Sequence, residues 1–359
     1  MRITLKKRPP LLWWQRALLP LGAVALSILL SSFLIVWAGA NPLKAWYLIL
    51  SGSLGSSFSL LETLVKMAPL AFTGLAVAVA FQAEFWNIGA EGQLYVGALV
   101  AAALGVLPLQ LPGFLHLPLI IIGGFLGGGL LAALPGYLKA SLKVNDVVTT
   151  LLINYIVLFL IGALLEGVWR DPVSGWPHSP LISESARFPV LLPRSRFHLG
   201  IILAVVTAAV VYLIMKKSVL GYFIRSVGQN IRAAHFGGIR TGRVFVTAAF
   251  FSGGLAGLAG VGEVCAVQHF LAADLSTGFG YYGIAVALLG RLHPVGVVLA
   301  AFYFAAVITG SEMMSRVTGV PVYLAEVILG ITVLSMLIVL LFDKYTIAIE
   351  RSRSGHRKA

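Results

Sequence analysis

Charge is what this sequence has least of. Only 11% of its 359 residues are charged, against about 25% in an average soluble chain. With 59% hydrophobic residues and a mean hydropathy of +0.95, that deficit excludes an ordinary soluble domain. Cysteine is nearly absent too. The single one, Cys265, lies in an apolar stretch, which excludes an intrachain disulfide and a cysteine-built metal site and leaves it as a small buried hydrophobe. No residues stand in the spacing of a catalytic triad, a metal cluster or a carboxylate pair, so an enzyme is not expected. The short alternating segments of a membrane β-barrel are also missing, because the apolar runs are continuous and rich in Leu, Ala, Val and Gly.

What is present is a series of runs near the ~20 residues that a membrane-crossing helix needs. They lie at 17–39, 60–81, 88–107, 117–138, 147–168, 199–215, 244–266, 278–290, 294–311 and 322–342. The expected fold is therefore an all-α polytopic membrane protein of about ten helices. The run at 278–290 is too short to cross alone and is expected to be tilted or part of a broken helix, and 41–59, with Pro42 and Trp46, reads as an interfacial segment. The first run, 17–38, is too long for a signal-peptide core and lacks a convincing A-x-A site, so no cleavable leader is expected.

The net charge of +13 sits in short loops and both tails, where it reports orientation rather than a nucleic-acid partner. The tail 1–16 carries Arg2, Lys6, Lys7, Arg8 and Arg16, and the tail 343–359 carries Lys344, Arg351, Arg353, Arg357 and Lys358. Both are expected to be cytoplasmic, around a transmembrane domain at 17–342. Lys139, Lys143, Arg291 and the loop 216–243 then fall on the same side, and the segment 169–198, with Pro172, Pro177, Pro180 and Pro189 in its first half and middle, lies outside as a small structured cap. The polar break near Asn87 has a faint echo in "QHFLAADLSTGFGYYG", which raises the possibility of five plus five helices in inverted repeat.

That first break, "FQAEFWNIGAEGQLYVGAL" at 81–99, is the most unusual stretch in the chain. A charge at the bilayer centre costs about 2.5–3.5 kcal/mol or more, so such residues face water, a partner or the protein interior. Asn87 is expected to cap a helix that begins near Ile88, with Glu91 in its first turn against the positive end of the dipole. Alternatively Phe85, Trp86, Asn87, Glu91 and Gln93 line a translocation route. Asn154, in mid-span, reads as interhelical hydrogen-bond glue or as a further pathway residue. Glu263, next to Gly260 and Gly262, would line the pore or pair with a basic residue, and Glu62 and Lys66, four apart, are expected to pair with each other.

A second informative stretch is "GYFIRSVGQNIRAAHFGGIRTGR", 221–243. Asn230 is a good N-cap, and Gly237 and Gly238 would stop a short helix in between. Such a helix is marginal alone and needs a surface, either a protein partner or the lipid headgroups.

"RSVGQNIRAAHFGGI" resembles the coupling-helix loop of ABC importer permeases of the branched-chain amino acid and simple-sugar superfamily. "FWNIGAEGQLYVGAL", "VNDVVTTLLINYIVLFL" and "GFGYYGIAVALLGRLHPVGV" resemble blocks of its nucleoside-type branch, with Asp146 where Glu is more usual and Trp86 interrupting a Phe-Asn pair. The resemblance implies a type II importer in a bacterial inner membrane. A second, related permease subunit, ABC ATPase subunits that bind ATP and Mg, and an extracellular substrate-binding protein would complete it. It implies ATPase coupling through Arg225, Gly228, Asn230, Ala233, Ala234, Phe236 and Gly238, and no cofactor in this chain. The absence of a G-x-x-x-x-G-K-[ST] motif agrees with an ATPase located elsewhere. On that reading Asn and Gln of the break would suit a base or ribose hydroxyls, with Phe85 and Trp86 as stacking faces. Sugars or branched-chain amino acids are the alternative cargo. An ion-gradient-driven transporter is a separate alternative that would want paired acids at mid-depth, and a membrane scaffold would leave the polar breaks unexplained.

Overall fold

The computed structural model describes residues 2–7, 13–107 and 111–350. Helices dominate: α1 (Trp13–Trp37), α2 (Pro42–Leu54), α3 (Ser57–Gln82), α4 (Ala90–Val106), α5 (Gly113–Leu142), α6 (Asp146–Glu166), α7 (Leu199–Lys217), α8 (Val219–Gln229), α9 (Ile231–Phe236), α10 (Thr241–Gly262), α11 (Phe279–Leu289), α12 (Pro294–Thr318) and α13 (Leu324–Lys344). Among the described residues, eight helices are long and apolar enough to cross a membrane, and α4 and α11 are shorter apolar helices of 17 and 11 residues. These are the ten expected segments, and the protein is an all-α polytopic membrane protein.

Local chemistry sets many of the boundaries. Asn41 accepts from the backbone of Leu43 and Lys44 with Pro42 at the first helical position, so α2 starts there. Ser56, Asn145 and Ser218 cap α3, α6 and α8 in the same way. α2, expected to be interfacial, is a packed helix: Gly52 and Gly310 bring it so close to α12 that a Cβ on Gly310 would strike the Ile49 carbonyl.

The chain ends form a two-stranded antiparallel ribbon, β1 (Arg2–Lys7) with β2 (Tyr345–Glu350), in the register Arg2 opposite Glu350. Both ends of the described chain therefore meet on one side of the bundle, as an even number of crossings requires. Arg8 and residues 351–359 lie outside the described residues.

The interior is built twice over. α5 packs along α10 as α12 packs along α3, α4 meets α10 as α11 meets α3, and α5 touches α6 as α12 touches α13. α3 and α10 are the most enclosed of the long apolar helices. Each of these two is followed by a non-glycine residue in the left-handed region, Glu84 (φ 55) after α3 and His269 (φ 65) after α10. Each half also ends its third long helix the same way, at Lys143 and Gly319 in left-handed conformation. The α5–α10 seam runs on small residues, with Gly124 and Gly128 against Gly253 and Gly257, so the two backbones touch directly.

Candidate functional site

The bundle has a basic end, where Lys139, Lys216, Arg243 and Arg291 sit, and a loop end formed by residues 167–198. One helix breaks toward each end. α3 closes with Glu84 N–H donating to Phe81 O and Phe85 N–H to Ala80 O, the Schellman pattern, with Glu84 in the left-handed place that glycine commonly holds. The chain then runs extended from Phe85 to Gly89 before α4 begins.

An extended segment inside a bundle has backbone groups that need partners. α6 supplies them from one face. Asp146 Oδ2 accepts from Trp86 N–H at 2.6 Å, Thr150 Oγ1 accepts from Ile88 N–H at 3.1 Å, and Asn154 Nδ2 donates to Ile88 O at 2.8 Å. Asn154 Oδ1 also accepts from Gly92 N–H at 2.8 Å. Residues 146, 150 and 154 are four apart and share one stripe of the helix. Lys139 neutralises Asp146 at 2.7 Å and donates to the Glu84 carbonyl.

Asn87 points the other way. Its Oδ1 accepts from Gly89 N–H and Gln93 Nε2, and its Nδ2 donates to Gln93 Oε1 and to Ser252 Oγ, all at 2.8–2.9 Å. Ser252 in turn donates to Ala76 O at 2.7 Å. The expected cap at Asn87 is thus corrected: Gly89 is the N-cap of α4, and Asn87 is the hub that ties the break to α10 and α3.

At the second break, the last turn of α10 widens into a π-helix at Glu263–Gln268. Here the loop end supplies main chain. Phe188 N–H donates to Cys265 O, Ile182 N–H to His269 O, and Ser179 N–H to Leu271 O, at 2.8–3.0 Å. The expected structured cap at 169–198 is this layer, laid over the second break.

The two half-helices start side by side. Glu91, in the first turn of α4, accepts from Gly280 N–H of α11 at 2.6 Å, so a carboxylate from one half caps the helix of the other. Thr73 donates to Phe279 O at 2.9 Å, and Tyr95 donates to Ala273 O at 2.6 Å. Only glycine fits at 280, because a Cβ would collide with the Glu91 backbone.

Accessibility divides the sequence candidates. Asn87, Glu91, Gln93 and Asn154 are buried in this network, as is Phe85, whose ring lies under Lys139 and is closed to a solute. Trp86 is 46% exposed, with its other face on Phe81. Tyr155 and Tyr281 are also exposed, and the Tyr281 hydroxyl reaches Asn154. Neither tyrosine stands out in the sequence, although both adjoin motif residues. Asp146, Thr150 and Ser252 were not singled out as site residues either; the four-residue polar spacing in an apolar span would have disclosed the first two.

Near the loop end, Glu62 and Lys66 do not pair with each other. Glu62 holds Arg196 and Lys66 holds Glu312, because tertiary partners lie closer to each than the next turn of α3. Glu263 is buried at the head of the π-helix, with Arg196 as its nearby basic residue.

At the basic end, Asn230 caps α9 by accepting from Ala233 N–H at 3.0 Å, and Gly238 (φ 82) turns the chain after it. The preceding α8, which the sequence reading left as loop, buries Gly221, Ile224 and Val227. Gly228 lies so near Gln82 that a Cβ would strike its carbonyl, which puts α8 directly on the first break. Arg225 is half-buried, Ala233 and Gly238 are exposed, and Ala234 is buried, whereas Phe236 is 97% exposed.

A helical bundle with a broken helix in each half and both short helices starting at its centre is the architecture of a membrane transporter. Residues 59–339 match the family described as branched-chain amino acid transport system / permease component. The chain belongs to this family and is a permease subunit of an ABC importer, not its ATPase. It is 34% identical to the guanosine ABC transporter permease protein NupP of Bacillus subtilis over 88% of this chain and 92% of that one. It is 32% identical to the nucleoside ABC transporter permease protein NupB of Lactococcus lactis over 88% of each. It is 31% identical to the glucose ABC transporter permease protein TsgB13 of Haloferax volcanii over 94% and 91%. In each of these organisms a second permease matches at 24–25% identity. No solved structure matches. Family membership closes the gradient-driven and scaffold alternatives.

Proposed function

We propose that this permease forms the path for nucleosides, paired with a second, related permease, with ATPase subunits that bind ATP and Mg and with an extracellular binding protein. The observation that carries the reading is the meeting of α4 and α11, capped across halves by Glu91, beside the exposed rings of Trp86, Tyr155 and Tyr281. Aromatic faces suit a base, and the fixed polar network behind them keeps the broken backbone satisfied while a solute passes. Asn87, Gln93 and Asn154 then act by positioning, and Phe85 by packing. Both chain ends and the basic end face the cytoplasm, where lysine and arginine accumulate. The bacterial relatives fit a bacterial plasma membrane.

Coupling runs through α9. Phe236 is the projecting side chain, and α8 carries motion to Gln82 and the first break through Gly228. Phe236→Ala is expected to lose co-purification of the ATPase. Ala234→Asp would instead disrupt the packing under α9.

A glucose reading has one observation in its favour, the 31% identity to a permease named for glucose. Uptake of labelled uridine, adenosine and glucose into proteoliposomes with the full importer separates the two. ATP-dependent uptake of the nucleosides alone is the expected result. ATP-dependent uptake of glucose alone would replace the cargo assignment.

A further inference from the structure

A large space on the flank of the bundle lies away from the breaks. A cleft of about 690 Å³ runs between α1 and α12. Its walls are apolar, with Leu21 and Val24 on one side and Leu299 and Tyr303 on the other, and Leu21 and Leu299 stay more than 60% exposed. At the mouth sit Arg291 and His293. His293 meets Tyr212 edge-on at 5.5 Å between centroids, and Tyr212 accepts from Lys216 Nζ at 2.7 Å, so a second full charge besides that of Arg291 stands close to the same mouth. Among the described residues, no acidic one lines the cleft.

The dimensions are informative. From His293 to Tyr303 the α12 wall is ten residues long, which is about 15 Å of helix. That is roughly half of the ~30 Å hydrocarbon core. The groove is one leaflet deep, open to the bilayer, with positive charge at the depth of the headgroups.

We propose that this cleft binds one anionic phospholipid, its acyl chain along α12 and its phosphate at Arg291, His293 and Lys216. Basic pockets between membrane helices select such headgroups, because the phosphate gains charge-assisted hydrogen bonds while the tail keeps an apolar wall. A zwitterionic lipid fits the groove equally but brings its own cation to a cationic mouth. The lipid would tie α1 to the α11–α12 turn, whose Leu292 carbonyl accepts from Gln82 next to the first break.

The test is native mass spectrometry of the full-length chain in detergent, delipidated and titrated with phosphatidylglycerol or phosphatidylcholine. The expected result is one retained phosphatidylglycerol, at least tenfold tighter than phosphatidylcholine. Arg291→Ala with Lys216→Ala should erase the preference between lipids, while Leu299→Trp, which fills the groove and leaves the cations, should lower binding of both. Because Arg291 has other contacts, Arg291→Lys serves as the folded control and should keep the preference. Equal affinity for the two lipids, or an unchanged preference in the double variant, would overturn the proposal. So would a phosphatidylglycerol adduct that disappears in the assembled importer, which would make the groove a subunit interface.

Discussion

The two broken helices solve one problem with different means. At the first break, the extended backbone of Trp86 and Ile88 is satisfied by side chains of a neighbouring helix, Asp146, Thr150 and Asn154 on α6. At the second, Cys265, His269 and Leu271 are satisfied by the main chain of the loop that covers them. A side-chain zipper on a long apolar helix ties its break to the movement of that helix. A loop cover ties its break to a layer that can lift. The first break should therefore respond to α6 and α8, and the second to whatever contacts the loop end.

The severest way to break this comparison is to part the half-helices where they meet. Gly280→Val puts a branched side chain against the backbone of Glu91, which no rotamer relieves. Overpacking of this kind is expected to cost at least about 3 kcal/mol and to leave no monodisperse protein in size-exclusion chromatography. Gly262→Ala, a glycine with open space around it, should be neutral in the same assay. If both variants behave like the parent, the central contact does not hold the halves together.

Next come the partners of each break. Asn87→Ala strands the Gly89 N–H and the Gln93 amide away from water. An unsatisfied buried group costs about 1–3 kcal/mol, so a loss of about 2–3 kcal/mol is expected from the thermal midpoint in detergent. Ser179→Ala strands a single buried donor, the Leu271 N–H, and gives up the bond to Pro180 O, and should cost about 1 kcal/mol. Equal losses would mean that the two breaks are held with equal strength.

Gly228→Ala sharpens the comparison at the basic end, since its Cβ has to push α8 off the Gln82 carbonyl. The expected outcome is an importer that still co-purifies with its ATPase yet takes up cargo at least tenfold more slowly. Uptake at the parental rate would remove α8 from the coupling route.

The span pattern was legible because apolar runs of the right length are a direct record of bilayer thickness, and because capping residues such as Ser56 and Asn145 punctuate them. The first break was legible for the same reason in reverse: polar residues such as Asn87 and Glu91 are conspicuous among apolar ones. The second break was fainter, since its donors are main-chain groups of a distant loop that carry no sequence signature. α8 was missed because Gly221 and Gly228 read as loop punctuation. Both are helical, and each is a glycine because another backbone lies against it. Glu62 and Lys66 failed as a pair because helix spacing says nothing about Arg196 and Glu312, which tertiary packing brings in.

The smallest effect is one of pH, and it concerns the cover of the second break. His198, at the start of α7, accepts from Gly200 N–H through Nδ1 and is buried beside Phe188, which donates to Cys265. Burial, reinforced by the Arg196 charge, lowers its pKa to about 4 from the usual 6.5. A second proton would have to displace the Gly200 bond. The closed cover thus binds fewer protons than the open one between these two values, so the stability that neutral His198 allows is complete above pH 6.5 and declines as pH falls toward 4. At pH 5.5 the loss is on the order of 1 kcal/mol, and below about pH 4 it levels off. Hydrogen exchange in 179–190, corrected for intrinsic rate, should accelerate about tenfold from pH 7.5 to 5.5, while 86–93 at the first break stays protected. His198→Asn, which keeps a capping oxygen and does not titrate, should remove the difference. Acceleration that persists in that variant would assign the pH response to another group and leave the cover's hold on the second break independent of His198.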